Sequence, residues 1–353
     1  KCFRATRPLD GRHDFGEGVA GSDARPIDQG SRVTSLDAEA VKQAASRIEG
    51  LVERTPVISN LEIDQLLGCK VFFKGEHLQP GGAFKVRGAT NMVFAQSAST
   101  LNAGVCTHSS GNHGAALARA AEHRGCSATI VMPMDASAVK RQRVLDFGGD
   151  LIECEKGQLA REATLREVQR RTGALFVPPF DHPLIIAGQG TAFLELKTQV
   201  PSLDALVVPV GGGGLLAGSC LIGDSTQIFG AEPSGADDAH RSFKTGVRVQ
   251  DHTPNTICDG LQTTLGKLNF EIIIEHATDI LLASETMILT AMQLIWQATG
   301  HWVEPSSAVA LAVVMVHREL FEGQRVGVIL TGGNIDVPRL RSQFVPETSQ
   351  TTG

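Results

Sequence analysis

The sequence predicts an α/β protein of two domains, each a mostly parallel, twisted sheet covered by helices. Three observations predict it. Short apolar runs alternate with helix-length segments from residue 36 onward. The runs are apolar throughout rather than alternating, as strands buried on both faces must be. The runs that matter most end in turns rich in Gly, Ser or Asn, where open parallel sheets bind their ligands.

Taken in order, residues 37–51 read as an amphipathic helix, which Thr55-Pro56 terminates because proline disfavours helical backbone in the residue before it. Val71-Phe72-Phe73 is a short strand, and a helix follows Lys85. Strands at 104–108, 128–132, 151–154 and 175–177 then alternate with helices at 114–124, 137–147, 159–172 and 190–199. The strand 205–210 leads into Gly211-Gly212-Gly213-Gly214, which opens a further helix. Residues 227–230 and 326–330 are the remaining strands. Residues 1–33 are rich in Gly, Asp and Arg, show no apolar period and begin with lysine. They read as a flexible tail or the remnant of a targeting segment, outside the fold.

Composition excludes several function classes. The 353 residues are 42% hydrophobic, enough for a large core, and carry a net charge of −6, which argues against nucleic acid as a partner. No stretch approaches the roughly 20 apolar residues of a membrane span. Seven scattered cysteines without a C-x-x-C pair favour neither a disulfide framework nor a zinc site, and fit a reducing compartment. Tyrosine is absent, so no phenol serves as acid or base.

Two motifs carry the chemistry. Lys85 lies in Gly82-Ala83-Phe84-Lys85-Val86-Arg87-Gly88, an amine flanked by an aromatic ring and small residues. The run Gly211 to Gly214, between a strand and a helix, is entropically costly as a mere turn and suits a phosphate cradle. Amine and cradle together are what pyridoxal phosphate chemistry needs. The spacing G-x-G-x-x-G of a dinucleotide site is not clearly present. Ser109-Ser110-Gly111-Asn112-His113-Gly114 reads alone as an N-cap, and beside the first two motifs as a second anion or substrate site. His113 reads equally as a histidine satisfying a backbone group. Thr331-Gly332-Gly333-Asn334 is a tight turn, or a hydroxyl placed for a cofactor ring nitrogen. Glu232 to Asp238 reads first as a solvated acidic turn. Its two carboxylates, six residues apart around a carbonyl, could also bind a hard divalent cation.

Four of these motifs, the Lys85 run, Ser109 to Gly114, the glycine run and Thr331 to Asn334, in this order along the chain, are similar to those of fold-type II pyridoxal phosphate enzymes, whose architecture is tryptophan synthase β-like. Over about residues 36–340 the chain resembles the serine racemase and threonine dehydratase branch. The resemblance implies that Lys85 is the Schiff-base lysine and one-face base, that Phe84 flanks the cofactor ring, and that Asn112 faces its phenolic oxygen. It further implies that Gly211, Gly212, Gly213 and Gly214 hold the phosphate and Thr331 the ring nitrogen. Ser109, Ser110, Asn112 and His113 then border the substrate carboxylate. Ser110 matches the proton donor on the opposite face that racemisation needs, where typical threonine dehydratases carry alanine, which implies a racemase or the closely similar hydroxyaspartate dehydratases. Glu232, the Ala236 carbonyl and Asp238 match the branch's divalent-cation ligands, for magnesium, calcium or manganese.

The activity implied is interconversion of L- and D-serine with accompanying elimination to pyruvate and ammonia. The alternative is an ammonia-lyase of L-threonine or threo-3-hydroxyaspartate. A reading from another class, a catalytically silent amino-acid-binding protein, sits badly with retention of every chemical position. The expected organisation is a large domain (34–103 with 181–345), a small domain (104–180) and a tail (346–353). A homodimer, a nucleotide effector and a cytoplasmic location are also implied, the last becoming organellar if residues 1–33 are a targeting remnant. Only 13 residues follow Leu340, so no regulatory domain controlled by isoleucine is expected. Two departures stand out. Residues 176–183 look more like threonine dehydratases than animal racemases, and the segment between Gly218 and Gln227 is shorter than in animal racemases, which implies a truncated or irregular helix behind the glycine run and weakens the case for nucleotide activation.

Overall fold

The structure is a computed structural model, and it describes residues 36–109, 111–136 and 138–335. The first half of the chain runs α1 (Ala38–Ile48), β1 (Val57–Ile58), α2 (Leu61–Leu67), β2 (Lys70–Lys74), α3 (Lys85–Phe94), α4 (Ala98–Leu101), β3 (Val105–His108), α5 (Asn112–Arg124), β4 (Ala128–Pro133), α6 (Ala138–Asp146), β5 (Asp150–Cys154), α7 (Gln158–Thr172) and β6 (Leu175–Phe176). The second half runs α8 (Pro183–Gln199), β7 (Ala205–Pro209), α9 (Gly214–Cys220), β8 (Gln227–Pro233), α10 (Asp238–Thr245), α11 (Lys267–His276), β9 (Asp279–Ala283), α12 (Glu285–Thr299), α13 (Pro305–Val316) and β10 (Arg325–Ile329).

The strands form two sheets. One has six strands in the order β1-β2-β10-β7-β8-β9, the other four in the order β5-β4-β3-β6. Every pairing is parallel except β1 with β2. This is the expected α/β architecture. Strand β7 shows why it is buried on both faces: Ala205 and Val207 point into one core with α12 and α13, while Leu206 and Val208 point into the other with α8, α9 and α11. The four-stranded sheet likewise packs α5 on one face and α7 on the other.

In each sheet two neighbouring strands carry candidate site segments beyond their carboxyl ends. These are β7 and β10 in the larger sheet, and β3 and β6 in the smaller. A crevice opens beyond the carboxyl ends of such strands. The glycine run follows β7 and Thr331 follows β10. Ser109 follows β3, and Val177-Pro178-Pro179 follows β6.

Helix α8 fixes the relative placement of the pieces. A Cβ on Gly188 would lie 2.7 Å from the Cα of Gly88 on α3, and one on Gly190 would lie 2.5 Å from the carbonyl oxygen of Gly218 on α9. Backbones therefore touch on both sides of α8, without intervening side chains. One neighbour, α3, begins with Lys85; the other, α9, begins with the glycine run.

Several element boundaries differ from the sequence reading. Helix α8 begins at Pro183 rather than 190, because His182 caps it through its side chain and Pro183 occupies the first turn. Helix α1 ends at Ile48, and Asp37 is its N-cap, accepting from the amides of Glu39 and Ala40. Helix α9 has only 7 residues, the truncation expected from the short segment behind it. The elements β1, α2, α4, α10, α11, β9, α12 and α13 had no counterpart in the sequence reading.

Candidate active site

Lys85 opens α3, and the residues before it are stitched to the end of β10. The Phe84 amide donates to the Thr331 carbonyl at 3.0 Å, and Ala83 pairs with Gly332 across an isolated bridge. The Lys85 Nζ donates to the Pro179 carbonyl at 2.8 Å, reaching across to the segment after β6. It lies 5.1 Å from the centre of the Phe84 ring. Burial alone brings its pKa down to about 8, since desolvation disfavours the ammonium.

The amine, the glycine run, Asn112, His113, Ser109 and Thr331 line one cavity of about 820 Å³, within the roughly 300–1,000 Å³ usual for small-molecule sites. Each side chain here has a physical role. The His113 Nε2 lies 3.1 Å from the Val177 carbonyl, while its buried Nδ1 has no partner among the described residues. Burial first, then the Lys85 charge, push its pKa down to about 3, so the ring is neutral. Nε2 then carries the proton and Nδ1 keeps a free lone pair. The bland expectation for His113, a bond to a backbone group, therefore holds for one nitrogen only. The Ser109 hydroxyl accepts from the Gly111 amide at 3.2 Å, closing its own turn. Ser110 lies outside the described residues.

Asn112 is more engaged than the sequence reading implied. Its Nδ2 donates to both oxygens of Glu304, at 3.1 and 3.0 Å, and its Oδ1 accepts from Asn334 Nδ2 at 2.8 Å. Glu304 was not among the sequence candidates. It is 2% exposed, and burial, opposed chiefly by the Lys140 charge, raises its pKa to about 7. A lone carboxylate before an apolar helix looks like an N-cap, yet its side chain caps nothing. Lys140, Lys156, Arg161 and Asp259 also line the cavity and were likewise missed.

The glycine run satisfies the demands of a phosphate cradle. A Cβ on Gly212 would fall 2.3 Å from Cγ of Phe180, and Gly213 has φ of 88°, a left-handed conformation that favours glycine. Among the described residues, the amides of Gly211, Gly212 and Gly213 donate to no other protein group. Free amides without side chains, at a helix start and on the same cavity as a buried amine, fit a phosphorylated carbonyl cofactor.

Glu232, Ala236 and Asp238 lie away from this cavity, around the turn from β8 to α10. All three are buried. The Glu232 carboxylate accepts from the amides of Ala239 at 3.0 Å and His240 at 2.8 Å, and burial raises its pKa to about 9. Burial also raises that of Asp238 to about 6. The His252 Nε2 lies 3.2 Å from Asp238 without good hydrogen-bond geometry. The two carboxylates are thus not solvated, although Ser234 between them is exposed. Among the described residues, however, no three side chains of His, Cys, Asp or Glu gather as metal ligands. No described helix is long and apolar enough to cross a membrane.

Comparison with known proteins agrees with this geometry. The family described as "Pyridoxal-phosphate dependent enzyme" matches residues 48–332. The β-hydroxyaspartate dehydratase of Paracoccus denitrificans is 45% identical over 301 residues, covering 84% of this chain and 96% of the relative. The serine racemase of Dictyostelium discoideum is 42% identical over 306 residues, covering 84% and 94%. The structure of maize serine racemase superposes with a TM-score of 0.84 at 40% identity, covering 87% of this chain and 96% of that one. The chain belongs to the pyridoxal-phosphate dependent enzyme family.

Proposed function

We propose that this chain is a racemase and ammonia-lyase of small hydroxy amino acids, converting L-serine to D-serine and, in parallel, to pyruvate and ammonia. The observation that carries the reading is the Lys85 amine, shifted toward its neutral form by burial and lining the same cavity as a side-chain-free cradle. Gly211 to Gly214 would hold the phosphate, Phe84 would pack against the ring, and the Thr331 hydroxyl would meet the ring nitrogen. A neutral hydroxyl there leaves a pyridine largely unprotonated. When bound, pyridoxal phosphate supplies an electron sink that acidifies the α-carbon of an amino acid.

Lys85, neutral in a large fraction near pH 8, takes the α-proton at Nζ, and its bond to Pro179 sets the direction from which it acts. Ser109, Asn112 and the neutral His113 border the substrate carboxylate. Ser110 returns a proton to the opposite face, a role supported by sequence. Where the β-hydroxyl departs instead, as water, the same Lys85 step leads to an enamine, which water hydrolyses to the 2-oxo acid and ammonia. A second reading, an ammonia-lyase of threo-3-hydroxyaspartate or L-threonine, is favoured by the 45% identity to the hydroxyaspartate dehydratase.

Further parts of the proposal rest on sequence and resemblance. A divalent cation occupies Glu232, the Ala236 carbonyl and Asp238; its support is two buried carboxylates whose charge is otherwise poorly compensated. Residues 34–103 with 181–345 form the larger domain and 104–180 the smaller. The enzyme is a cytoplasmic homodimer, and a nucleotide effector is the least supported partner.

The test is incubation of the cofactor-loaded protein with L-serine, L-threonine and threo-3-hydroxyaspartate, followed by chiral separation and 2-oxo acid assay. D-serine and pyruvate from L-serine are expected. Both should vanish in Lys85→Ala, and Ser110→Ala should lose D-serine while largely keeping pyruvate. Oxaloacetate as the dominant product would favour the second reading. No product from L-serine would end the first.

A further inference from the structure

Among the described residues, one side-chain ion pair joins segment 104–180, which holds the four-stranded sheet, to the rest of the chain: Lys140 with Asp259. Lys140 sits on α6, on the same inward face as Val144, one turn further on, and these are the two buried residues of that helix. Val144 belongs to the core in which α6 packs on α5 and the four-stranded sheet, a core that also takes in α3. The Lys140 side chain is 6% exposed, whereas that of Asp259 is 55% exposed.

Asp259 begins a short turn, Asp259–Leu261, that forms one wall of the cradle. A Cβ on Gly211 would lie 3.0 Å from the Gly260 carbonyl oxygen and 3.1 Å from the Leu261 Cα. The Gly260 amide donates to the Ser306 hydroxyl at 3.0 Å, two residues from Glu304. Displacing this turn therefore displaces the cover of the glycine run. An ammonium enclosed this deeply costs free energy unless carboxylates face it, and Asp259 and Glu304 both do. If the two sheets moved apart, water would replace those partners at little cost. The pair thus belongs to the closed cavity.

We propose that Lys140 is a positioning residue for the reaction: held on Asp259, it keeps α6 and the four-stranded sheet shut over the cradle. The inference rests on the proposed function for the identity of what is enclosed, but its structural content does not depend on turnover. The charge pair adds to the apolar core shared by α3, α5 and α6, and to the bonds from Asn112 to Glu304, in keeping the cavity closed.

The test uses the cofactor-loaded protein with Lys140→Met, which keeps most of the aliphatic stem, Asp259→Asn, and the charge swap Lys140→Asp with Asp259→Lys. Hydrogen exchange is followed in residues 133–141 and 256–264, and quenching of bound-cofactor fluorescence by acrylamide is measured alongside. Each single change should speed exchange in both segments by about tenfold, the usual scale for losing one enclosed charge pair, and expose the cofactor to quencher. KM should rise by a similar factor, with kcat altered far less. The swap should recover much of the protection, and Lys140→Arg should keep it. Unchanged exchange in the single variants, or a swap no better than either one, would overturn the proposal. If no hydroxy amino acid is turned over, exchange in the apoprotein still decides the latch, separating its failure from that of the proposed function.

Discussion

The Lys85 ammonium donates a 2.8 Å hydrogen bond to the Pro179 carbonyl oxygen, so an amine carried by α3 is held by the segment that leaves the other sheet. The residue keeps some contact with the cavity, but its nitrogen is enclosed, and burial lowers its pKa to about 8 from an ordinary 10.5. The folded chain then releases this proton at lower pH than the unfolded chain does. Its contribution is most favourable above 10.5 and is lost as pH falls through 8. Apoprotein carrying Lys85→Met should therefore melt higher than the parent at pH 7, by about 1–3 kcal/mol, and the gap should narrow between pH 8 and 10. Thermal melts of both apoproteins across that range check this; a gap independent of pH would refute the enclosed amine. The same shift predicts that cofactor uptake by the parent accelerates from pH 7 to pH 9, with a midpoint near 8.

Glu304 titrates in the opposite sense. Burial raises its pKa to about 7, so the folded chain holds the proton more tightly than the unfolded one. Its stabilising contribution is complete below 4.5 and is lost as pH rises through 7. Glu304→Gln keeps the shape and can still accept from the Asn334 amide, which bonds Oε1 at 3.1 Å. Relative to the parent, this variant should gain about 1–3 kcal/mol between pH 5 and pH 8. Chemical denaturation of both proteins at each pH reads the difference, and parallel curves would show that the carboxylate does not titrate there.

What could be read in advance follows from how local each signal is. The glycine run and Thr331 stand in short motifs at strand ends that periodicity places, and Lys85 stands in a short motif at the start of α3. Glu304 and Lys140 have no such motif. Asn112 meets Glu304 across 192 residues, and Lys140 meets Asp259 across 119, pairings that only the packed sheets create. Helix α13 escaped notice because residues 306–314 are buried all around it, which erases the amphipathic period. Helix α8 was begun late because histidine is an uncommon N-cap. The short β1 offers two residues, too few for a periodic signal.

The glycine at 212 gives a prediction that separates cradle from turn. Its missing side chain is the space taken by Phe180, whose Cγ would be 2.3 Å from an added Cβ. Gly212→Ala should cost about 1–3 kcal/mol through overpacking and weaken cofactor binding more than tenfold. Adding Phe180→Leu, which moves the aromatic carbons away, should return part of both losses. Fluorescence titration of the apoproteins with pyridoxal phosphate measures the affinity. Loss of stability with full retention of affinity would mean that the run is only a turn.

The buried pair Glu232 and Asp238 supplies the last test. Glu232 has two backbone amides as partners, Asp238 has the imperfect contact with His252 and weaker support from the Leu265 amide, and both residues are about 1% exposed. Enclosed carboxylates this poorly compensated favour any arrangement that brings a cation between them. Magnesium, calcium or manganese added to metal-stripped protein should therefore raise its melting temperature, by an amount equivalent to about 2.7 kcal/mol at a hundredfold excess over Kd. In Asp238→Asn the response should largely disappear, and in the absence of cation that variant should be no less stable than the parent, since a buried charge has been removed. A chelator should lower the melting temperature of the parent alone. If instead the parent ignores all three cations, the two carboxylates serve α10 as a cap and nothing more, and the acidic turn is structural.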